Sequence, residues 1–415
     1  MLFLYRISVQ LYQFAIWLSS FFNQKAKLWI DGRRTQKLVT ADASIWFHFA
    51  SLGEFEQGRP VLEKLKAENP ALKIVVTFFS PSGYEVRKNT TLADHVYYLP
   101  LDTRHNARKF IQTINPKIAV FTKYEYWYFY MDELYQRQIP LYVISAIFRP
   151  QQIFFRSYGG FYRQMLLLVQ HFFVQDEASK NLLSGIGINN VSVSGDTRFD
   201  RVWGNAQNIE PLAKIAAFKN NQKVFIAGST WPPDENLIVN LVSIYPDWKF
   251  IIAPHEIGSD KIDNLLGKIL TEKTIRYSEI TSDETILKQK QVLVIDNIGL
   301  LSKLYQYGNI AYIGGGFGTG IHNTLEAAAF GLPVIFGPVY HKFKEAQDLI
   351  NLNAGFSIVN EASLESIVAQ LVTDEKFYAE ASVRAKNYTQ QNTGATEKIW
   401  KYIQAHDFNI KNDQT

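Results

Sequence analysis

The chain contains no cysteine among its 415 residues. This absence excludes disulfide bonds, a thiolate nucleophile and zinc sites built on cysteine. It agrees with a reducing, cytoplasmic environment. A large excess of one charge is also lacking, since 43 basic residues stand against 39 acidic ones. The net charge of +4 is too small to indicate a nucleic-acid partner, and no basic stretch interleaved with aromatic residues occurs.

Two common nucleotide-binding motifs are missing as well. Gly267 and Lys268 are followed by isoleucine, so the chain has no Walker loop. In the glycine-rich stretch after residue 313, each register of Gly-x-Gly-x-x-Gly has Thr319, Ile321 or Asn323 at its third glycine position. Asp-x-Asp is absent too, so a carboxylate-bound metal that would hold a sugar diphosphate is not expected.

The chain does have a different nucleotide-type segment, residues 313–338, which reads IGGGFGTGIHNTLEAAAFGLPVIFGP. Its pattern predicts a strand, a glycine loop, a helix that begins near His322 and a second strand. Glycines allow backbone N–H groups to approach a ligand closely. Asn323 and Glu326 would share one helix face, where the Glu326 carboxylate is suited to two hydroxyls of a ribose. The alternative is a tight strand-to-helix turn with a solvated glutamate.

Strand-like and helix-like segments alternate from residue 44 onward, which predicts an α/β fold with parallel sheets. Because 415 residues exceed one ordinary core and 47% are hydrophobic, we expect two Rossmann-like domains that face a cleft. The predicted divisions are residues 1–30 (an N-terminal membrane-anchoring helix), 31–202 (a first domain), 203–222 (a linker), 223–395 (a second domain) and 396–415 (a C-terminal helix and tail that packs back on the first domain).

Residues 2–22 are mostly apolar and aromatic, and their polar members recur at helical spacing. These polar residues are Arg6, Gln10, Gln13 and Ser20. The pattern predicts a helix that lies in, or is tilted through, a membrane interface. A basic cluster that would attract anionic lipid head groups from the cytoplasmic side follows, and it consists of Lys25, Lys27, Arg33 and Arg34. The alternative is a core helix packed on the first domain.

Three charged side chains follow predicted strands of the first domain, at the edge where parallel sheets bind ligands. Glu54, in SLGE, lies where a turn at Gly53 leads into a helix, and an ionised carboxylate there can serve as a general base. Ser51 followed three residues later by glutamate is also a capping box. Glu125, in KYEYW, and Arg198, in GDTRFD, add a second carboxylate and a cation suited to phosphate. An exposed glutamate and a surface salt bridge are the simpler explanations for these two.

The second domain offers two further strand ends. Ser229 and Thr230 precede two prolines and a helix, and they supply small donors suited to phosphate. Pro254 and His255 end the next strand, where an imidazole can contact a base or a phosphate. A lone histidine is more often structural.

Together, SLGE, EYW, GDTRFD, GST and GIHNTLEAAAFGLPVIFGP resemble the Kdo transferase family, from the N-terminus to about residue 350. The resemblance implies a membrane-associated glycosyltransferase of the GT-B fold. Such an enzyme moves 3-deoxy-D-manno-octulosonic acid (Kdo) from CMP-Kdo to the lipid A precursor in lipopolysaccharide biosynthesis, at the cytoplasmic face of the inner membrane. Two other interpretations stay open, a GT-B enzyme or epimerase that uses a UDP-sugar and a catalytically inactive membrane-bound relative.

By matching position, the resemblance implies roles for individual residues. Glu54 corresponds to the proton acceptor, and Glu125 and Arg198 correspond to residues that stabilise the transition state. The family often has lysine in place of Arg198. The implied CMP-binding segments are Asn323, Thr324, Leu325 and Glu326; Pro254 and His255; and Ile298, Gly299 and Leu300. The family usually has arginine at position 255 and glutamate at position 300. The resemblance implies a single displacement with inversion and no metal cofactor.

Overall fold

The structure, a computed structural model, describes residues 1–41, 43–269, 271–280 and 284–408. Within these residues the chain divides into two compact units. Unit 1 comprises Met1–Asp200 and the segment that begins at Thr393, and unit 2 comprises Arg201–Asn392. The end of the predicted C-terminal tail, residues 409–415, lies outside the described residues.

Unit 1 is built on one parallel sheet. Its strands are β1 Ser44–Phe49, β2 Ile74–Phe78, β3 His95–Tyr98, β4 Pro116–Thr122, β5 Leu141–Ala146, β6 His171–Val174 and β7 Val191–Val193. Its helices are α1 Leu2–Ser19, α2 Gln24–Thr35, α3 Leu52–Glu68, α4 Pro81–Arg87, α5 Arg104–Ile114, α6 Tyr128–Gln136, α7 Gly160–Leu166 and α8 Glu177–Ser184, with α9 Thr197–Gln207 crossing into unit 2. The described strands are ordered β3-β2-β1-β4-β5-β6-β7, so β1 lies between β2 and β4.

Strand β1, SIWFHF, is buried on both faces, as expected for a central strand of a parallel sheet. Alternate side chains enter two different cores. Trp46 packs with Phe110 of α5 on one face, and Phe47 packs with Leu62 of α3 on the other. Helix α19 Ala395–Ile403 belongs to unit 1, and its Trp400 joins the second of these cores.

Unit 2 is built on a second parallel sheet. Its strands are β8 Val224–Thr230, β9 Lys249–Pro254, β10 Thr274–Arg276, β11 Val292–Val294, β12 Ile310–Ile313, β13 Val334–Phe336 and β14 Gly355–Ser357. Its helices are α10 Ala213–Lys219, α11 Pro232–Ile244, α12 Ser259–Leu266, α13 Glu284–Gln289, α14 Leu301–Leu304, α15 Leu325–Ala329, α16 Lys344–Asn351, α17 Glu361–Thr373 and α18 Glu375–Gln391. The described strands are ordered β10-β11-β9-β8-β12-β13-β14.

The stretch 203–222, predicted as a linker with a short helix, contains the end of α9 and all of α10. Ile215 and Phe218 of α10 are fully buried in a core of unit 2. This segment is therefore part of the packed structure of unit 2, because its few apolar residues cover the edge of that core.

Helix α1 packs on unit 1 by one face only. Tyr5 donates a hydrogen bond to Asp102, whose carboxylate also accepts from the amides of Phe129 and Tyr130 at the start of α6. Burial raises the pKa of Asp102 to about 6. Val9, one turn further along α1, is 8% exposed and belongs to a small core with Trp29 of α2.

The opposite face of α1 is apolar and exposed. Its exposed side chains are Phe3, Leu4, Ile7, Leu11, Phe14, Trp17 and Leu18, and they are followed by Phe21 and Phe22. The helix thus has a packed face and an exposed apolar face, which lie on opposite sides at 100° per residue. In the described part of the chain, no helix combines the length and the hydropathy that crossing a membrane requires.

Arg33 does not lie on the exposed basic surface that the sequence predicts. Its guanidinium stacks on Trp29 at 3.7 Å and donates to the carbonyl oxygens of Leu99 (2.8 Å) and Phe79 (2.7 Å). Burial lowers the pKa of Arg33 to about 9. The prediction that Arg33 faces lipid head groups is wrong, because this side chain fastens α2 to unit 1. Lys25, Lys27 and Arg34 stay exposed.

Candidate active site

Glu54 lies in the first turn of α3, directly after the end of β1. It is half-buried, and Ser51 Oγ donates a hydrogen bond to its Oε2. Gly53 has no positive φ, and a Cβ added there would have Ser51 Oγ as its nearest neighbour, at 3.7 Å. The conformation at Gly53 therefore does not require glycine. The backbone changes from extended to helical between Ser51 and Leu52, so the turn precedes Gly53. The carboxylate still lies at the helix N-terminus, where negative charge is favoured.

Tyr124 interacts electrostatically with two charged groups from other strand ends, Glu54 and Arg149. Burial raises the pKa of Tyr124, the charge of Arg149 opposes this rise, and the charge of Glu54 adds to it. Tyr124 nevertheless keeps 44% of its surface exposed. Tyr124 follows β4 and Arg149 follows β5, so three strand ends contribute to one polar surface. Sequence reasoning missed Arg149, although a basic residue three positions after a buried strand was the available signal.

Glu125 is the second carboxylate of this edge, and it is almost completely buried. Its Oε2 accepts two hydrogen bonds of 2.8 Å, one from Trp127 Nε1 and one shared with His48 Nε2. His48 comes from β1 and is fully buried. The simple alternative of an exposed glutamate is therefore wrong, because a strand histidine and the adjacent tryptophan hold this carboxylate.

Arg198 pairs with Asp196 through Nε at 2.8 Å and through the terminal nitrogen at 2.7 Å. Burial opposes ionisation of Asp196, but the charge and hydrogen bonds of Arg198 outweigh it and hold the pKa of Asp196 below its usual value. Asp196 also accepts from Gln57 Nε2 at 2.8 Å, and Thr197 Oγ1 donates to the Gln57 carbonyl. The start of α9, which carries Arg198, is thereby fastened to α3, the helix that carries Glu54.

In unit 2, the predicted nucleotide residues follow β8, β9, β11 and β12, which are adjacent in the sheet. Ser229 and Thr230 end β8, and Ser229 has a φ of +54°, a strained value for a residue with a side chain. Ile298, which follows β11, is 87% exposed. Gly299 has a φ of +88°, and Leu300 is the residue before α14.

Packing explains part of the glycine loop. A Cβ on Gly314 would lie 2.3 Å from the carbonyl oxygen of Ser229, and a Cβ on Gly316 would lie 2.6 Å from the backbone of Gly337. The amides of Gly314, Gly315, Gly318 and Gly320 all donate to acceptors inside the protein. The loop therefore offers fewer donors to a ligand than its glycine content suggests.

The helix predicted from His322 begins at Leu325 and has five residues. The His322 amide donates to the Gly314 carbonyl at 3.2 Å, which closes the loop and delays the helix. Asn323 precedes the helix and accepts from the Leu325 amide at 3.1 Å. The prediction that Asn323 and Glu326 share a helix face is therefore wrong. Thr324 is the N-terminal cap residue and is buried, whereas Glu326 is half-buried in the first turn.

Asp234 of α11 holds the glycine loop in place, and sequence reasoning missed it. It is 1% exposed, and its carboxylate accepts from Gly315 N (2.9 Å), Trp231 N (2.9 Å) and Tyr312 Oη (2.7 Å). One carboxylate thus joins the ends of β8 and β12. A signal was available, since an acidic residue three positions after Trp231 at a proline-led helix start is a typical cap.

Three aromatic rings stack above these strand ends. Trp231 lies 4.8 Å from His255, and His255 lies 4.4 Å from His322, both measured between ring centroids. Trp231 Nε1 also donates to His322 Nε2 at 3.2 Å. Burial lowers the pKa of His322, and the neighbouring His255 lowers it further. A cavity of about 270 Å³ adjoins the stack and is lined by Trp231, Pro233, Asp234, Gly315, Phe317, Gly318 and Thr319.

The sequence is similar to a family model and to several known proteins. The sequence model of the family described as 3-deoxy-D-manno-octulosonic-acid transferase (kdotransferase) matches residues 22–201. The 3-deoxy-D-manno-octulosonic acid transferase of Haemophilus influenzae is 26% identical over 373 residues, which cover 86% of this chain and 85% of that protein. The enzyme of the same name from Aquifex aeolicus is 26% identical over 353 residues, which cover 82% and 89%.

Solved structures extend the likeness in fold. UDP-GlcNAc 2-epimerase from Neisseria meningitidis bound to UDP-GlcNAc has a TM-score of 0.62 at 16% identity, with 88% of this chain and 100% of that chain covered. UDP-GlcNAc 2-epimerase from Methanocaldococcus jannaschii has a TM-score of 0.53 at 15% identity, with 84% and 98% covered. These neighbours show a GT-B-like pair of parallel α/β sheets. The family match and the relatives that cover most of the sequence confirm the resemblance to the Kdo transferase family, whose members are glycosyltransferases.

Proposed function

We propose that this glycosyltransferase moves Kdo from CMP-Kdo to a sugar hydroxyl of the lipid A precursor, with inversion at the anomeric carbon. The observation that carries the proposal is the position of Glu54 at the start of α3, within electrostatic reach of the exposed Tyr124, which also interacts with the cation Arg149. A half-buried carboxylate on a rigid helix start is suited to removing a proton from an acceptor hydroxyl. Arg149 is suited to an anionic group of the acceptor.

The reaction is a single displacement. Glu54 takes the proton of the acceptor hydroxyl, and the hydroxyl oxygen forms a bond to the anomeric carbon of Kdo while the bond from that carbon to the CMP phosphate oxygen breaks. CMP leaves with the bonding electrons and one additional negative charge on its phosphate. Glu125 and Arg198 stabilise the charge that develops in the transition state, because both are held by partners before the substrate arrives.

Unit 2 binds the CMP part of the donor in this proposal. Ser229 and Thr230 donate to the phosphate, and the imidazole of His255 replaces the arginine that the family usually has. The segments 298–300 and 323–326 contact the nucleoside, with Glu326 on the ribose hydroxyls. The adjacency of β8, β9, β11 and β12 supports this assignment, since parallel sheets bind nucleotides at their carboxyl ends. No metal is assigned to the reaction.

Transfer of radiolabelled Kdo from CMP-Kdo to a purified lipid A precursor tests the proposal. We expect the label in the lipid fraction with the full chain and none with a heat-denatured sample. In parallel, CMP is expected to raise the unfolding temperature and UDP is not. Stabilisation by UDP alone, with no labelled lipid, would support a UDP-sugar enzyme instead.

We also propose that α1 lies in the cytoplasmic face of the inner membrane, since its exposed apolar face points away from unit 1 and Lys25, Lys27 and Arg34 follow it. Replacing Leu11, Phe14 and Leu18 together with serine should lower binding to anionic lipid vesicles at least about tenfold, because each buried apolar side chain contributes about 1.5 kcal/mol or more. Flotation with vesicles measures this binding. Serine at Gln10 and Gln13, on the polar stripe of the same helix, is the matched control. Equal flotation of both variants would refute the membrane assignment.

A further inference from the structure

A chain of three buried groups leads to Glu125. Trp46 Nε1 donates to Thr77 Oγ1 at 2.8 Å, and Thr77 Oγ1 lies 2.8 Å from His48 Nδ1. His48 Nε2 lies 2.8 Å from Glu125 Oε2. Trp46, Thr77 and His48 are all fully buried, so water does not compete for these contacts.

The direction of these hydrogen bonds follows from the donors available. Trp46 occupies one lone pair of Thr77 Oγ1. The Thr77 hydroxyl proton then has two acceptors, His48 Nδ1 at 2.8 Å and the Phe47 carbonyl at 3.4 Å. The shorter contact is the better hydrogen bond. Trp127 Nε1 lies 3.2 Å from His48 Nε2 but 2.8 Å from Glu125 Oε2, so the indole N–H donates to the carboxylate and not to the imidazole. His48 Nδ1 is therefore the acceptor, and Nε2 carries a ring proton that is directed at Glu125.

Two N–H donors thus converge on one oxygen of Glu125. His48 Nε2 and Trp127 Nε1 both bind Oε2, each at 2.8 Å. Within the described residues no group donates to Oε1, and the glutamate side chain keeps 10% of its surface accessible. Oε1 is therefore the oxygen that can meet a substrate. Trp127 is itself fixed, since its ring stacks on Phe79 at 4.8 Å.

We infer that His48 is a positioning residue of the transfer reaction, which holds the Glu125 carboxylate through an Nε2–H donor so that Oε1 faces the substrate. The inference rests on the proposed function for its kinetic consequence, but its structural part does not depend on activity. A misplaced catalytic group costs up to about a hundredfold in rate. Loss of the donor should therefore lower kcat and leave the KM for CMP-Kdo nearly unchanged.

The first test reads the ring directly. In the full chain labelled with ¹⁵N-histidine, two-bond ¹H–¹⁵N correlations report which ring nitrogen of each histidine carries the proton. The His48 signal is identified by its absence from His48→Gln. We expect the proton on Nε2. A neutral ring with the proton on Nδ1 would overturn the inference, whether or not the protein transfers Kdo.

The second test compares two replacements. His48→Gln keeps an N–H donor near the position of Nε2 and should retain kcat within about tenfold, whereas His48→Leu has no donor and should lose about a hundredfold. The Leu effect should vanish in a Glu125→Gln background, because the residue acts through Glu125. An equal Leu effect in both backgrounds, or equal losses with Gln and Leu, would show a packing role and overturn the inference. If His48→Leu does not fold, the tautomer measurement on the unmodified chain decides the role of His48.

The matched control is His171→Gln. His171 is another buried strand histidine of unit 1, on β6, and its Nε2 pairs with Ser192 Oγ at 2.9 Å. This variant should leave kcat unchanged. Absence of Kdo transfer by the unmodified chain would refute the proposed function, and the tautomer measurement would still decide the role of His48.

Discussion

The two units share a parallel topology but differ in the chemistry of their strand ends. In each unit the first strand lies between the second strand and one that comes later in the chain. In unit 1 the strand ends carry ionisable groups held by buried partners, such as Glu125 held by His48 and Arg198 held by Asp196. In unit 2 they carry glycines and stacked rings, and Asp234 is the buried carboxylate that joins them.

Under the proposed function, this difference shows how one scaffold would serve two tasks. A group that accepts a proton or stabilises charge must be held by fixed dipoles before the reaction. A group that binds a nucleotide must instead let the backbone come close and offer flat surfaces. Unit 1 has the first set of features and unit 2 has the second, so substitutions in the two units should fail in different ways.

The largest expected effect comes from a matched pair of glutamates. Glu54→Gln should lower Kdo transfer about a hundredfold or more while CMP still binds, since the amide cannot take a proton. Glu326→Gln should weaken CMP binding about tenfold, because an amide is a poorer acceptor for ribose hydroxyls. Transfer kinetics and titration calorimetry with CMP measure the two effects. Near-normal turnover of Glu54→Gln would remove this residue from the mechanism. It would also contradict the proposed division of roles between the two units.

An intermediate effect is expected at Asp234. Asp234→Ala leaves the donors of Trp231, Tyr312 and Gly315 without their buried acceptor and should lower the free energy of unfolding by about 3 kcal/mol. Urea denaturation measures the loss. Asp260→Ala, at an exposed position in the first turn of α12, is the control and should change stability by no more than about 1 kcal/mol. Equal stabilities of the two variants would show that Asp234 does not hold the loop.

The smallest effect concerns pH and His322. Burial and His255 lower its pKa below the unfolded value of 6.5, so the unfolded chain binds a proton at a higher pH than the folded one. This contribution to stability is present above pH 6.5 and is lost as the pH falls below it. The unfolding temperature should therefore fall less between pH 7.5 and 5.5 in His322→Gln than in the unmodified chain. His105→Gln, at an exposed histidine of α5, should keep the full dependence, and a steeper fall in His322→Gln would contradict the prediction.

Strand patterns and strand-end residues could be predicted because they depend on local order. A buried run such as SIWFHF specifies a central strand, and the residue that follows a parallel strand must lie at one edge of the sheet. Glu54, Glu125, Arg198, Ser229 and His255 were placed in this way. The start of α15 could not be predicted in this way. The His322 amide donates to the Gly314 carbonyl, eight residues earlier, and helical periodicity gives no information about that hydrogen bond.

Partners distant in the chain were also beyond prediction. His48 and Glu125 are 77 residues apart, and Gly315 and Asp234 are 81 residues apart. Arg33 could equally face lipid or carbonyl groups until α2 was placed against Leu99 and Phe79. In each case the identity of the residue left several partners possible, and tertiary packing selected one.

The sequence by itself determined the α/β class, the exclusion of thiol chemistry and the identity of the side chains at each strand end, since these follow from composition and from periods of two and 3.6 residues. Only the tertiary structure decided which of those side chains are held rigid and by which partner. The physical reason is that a buried polar group must find its hydrogen bonds among whatever groups the packing brings within about 3 Å, wherever they lie in the chain.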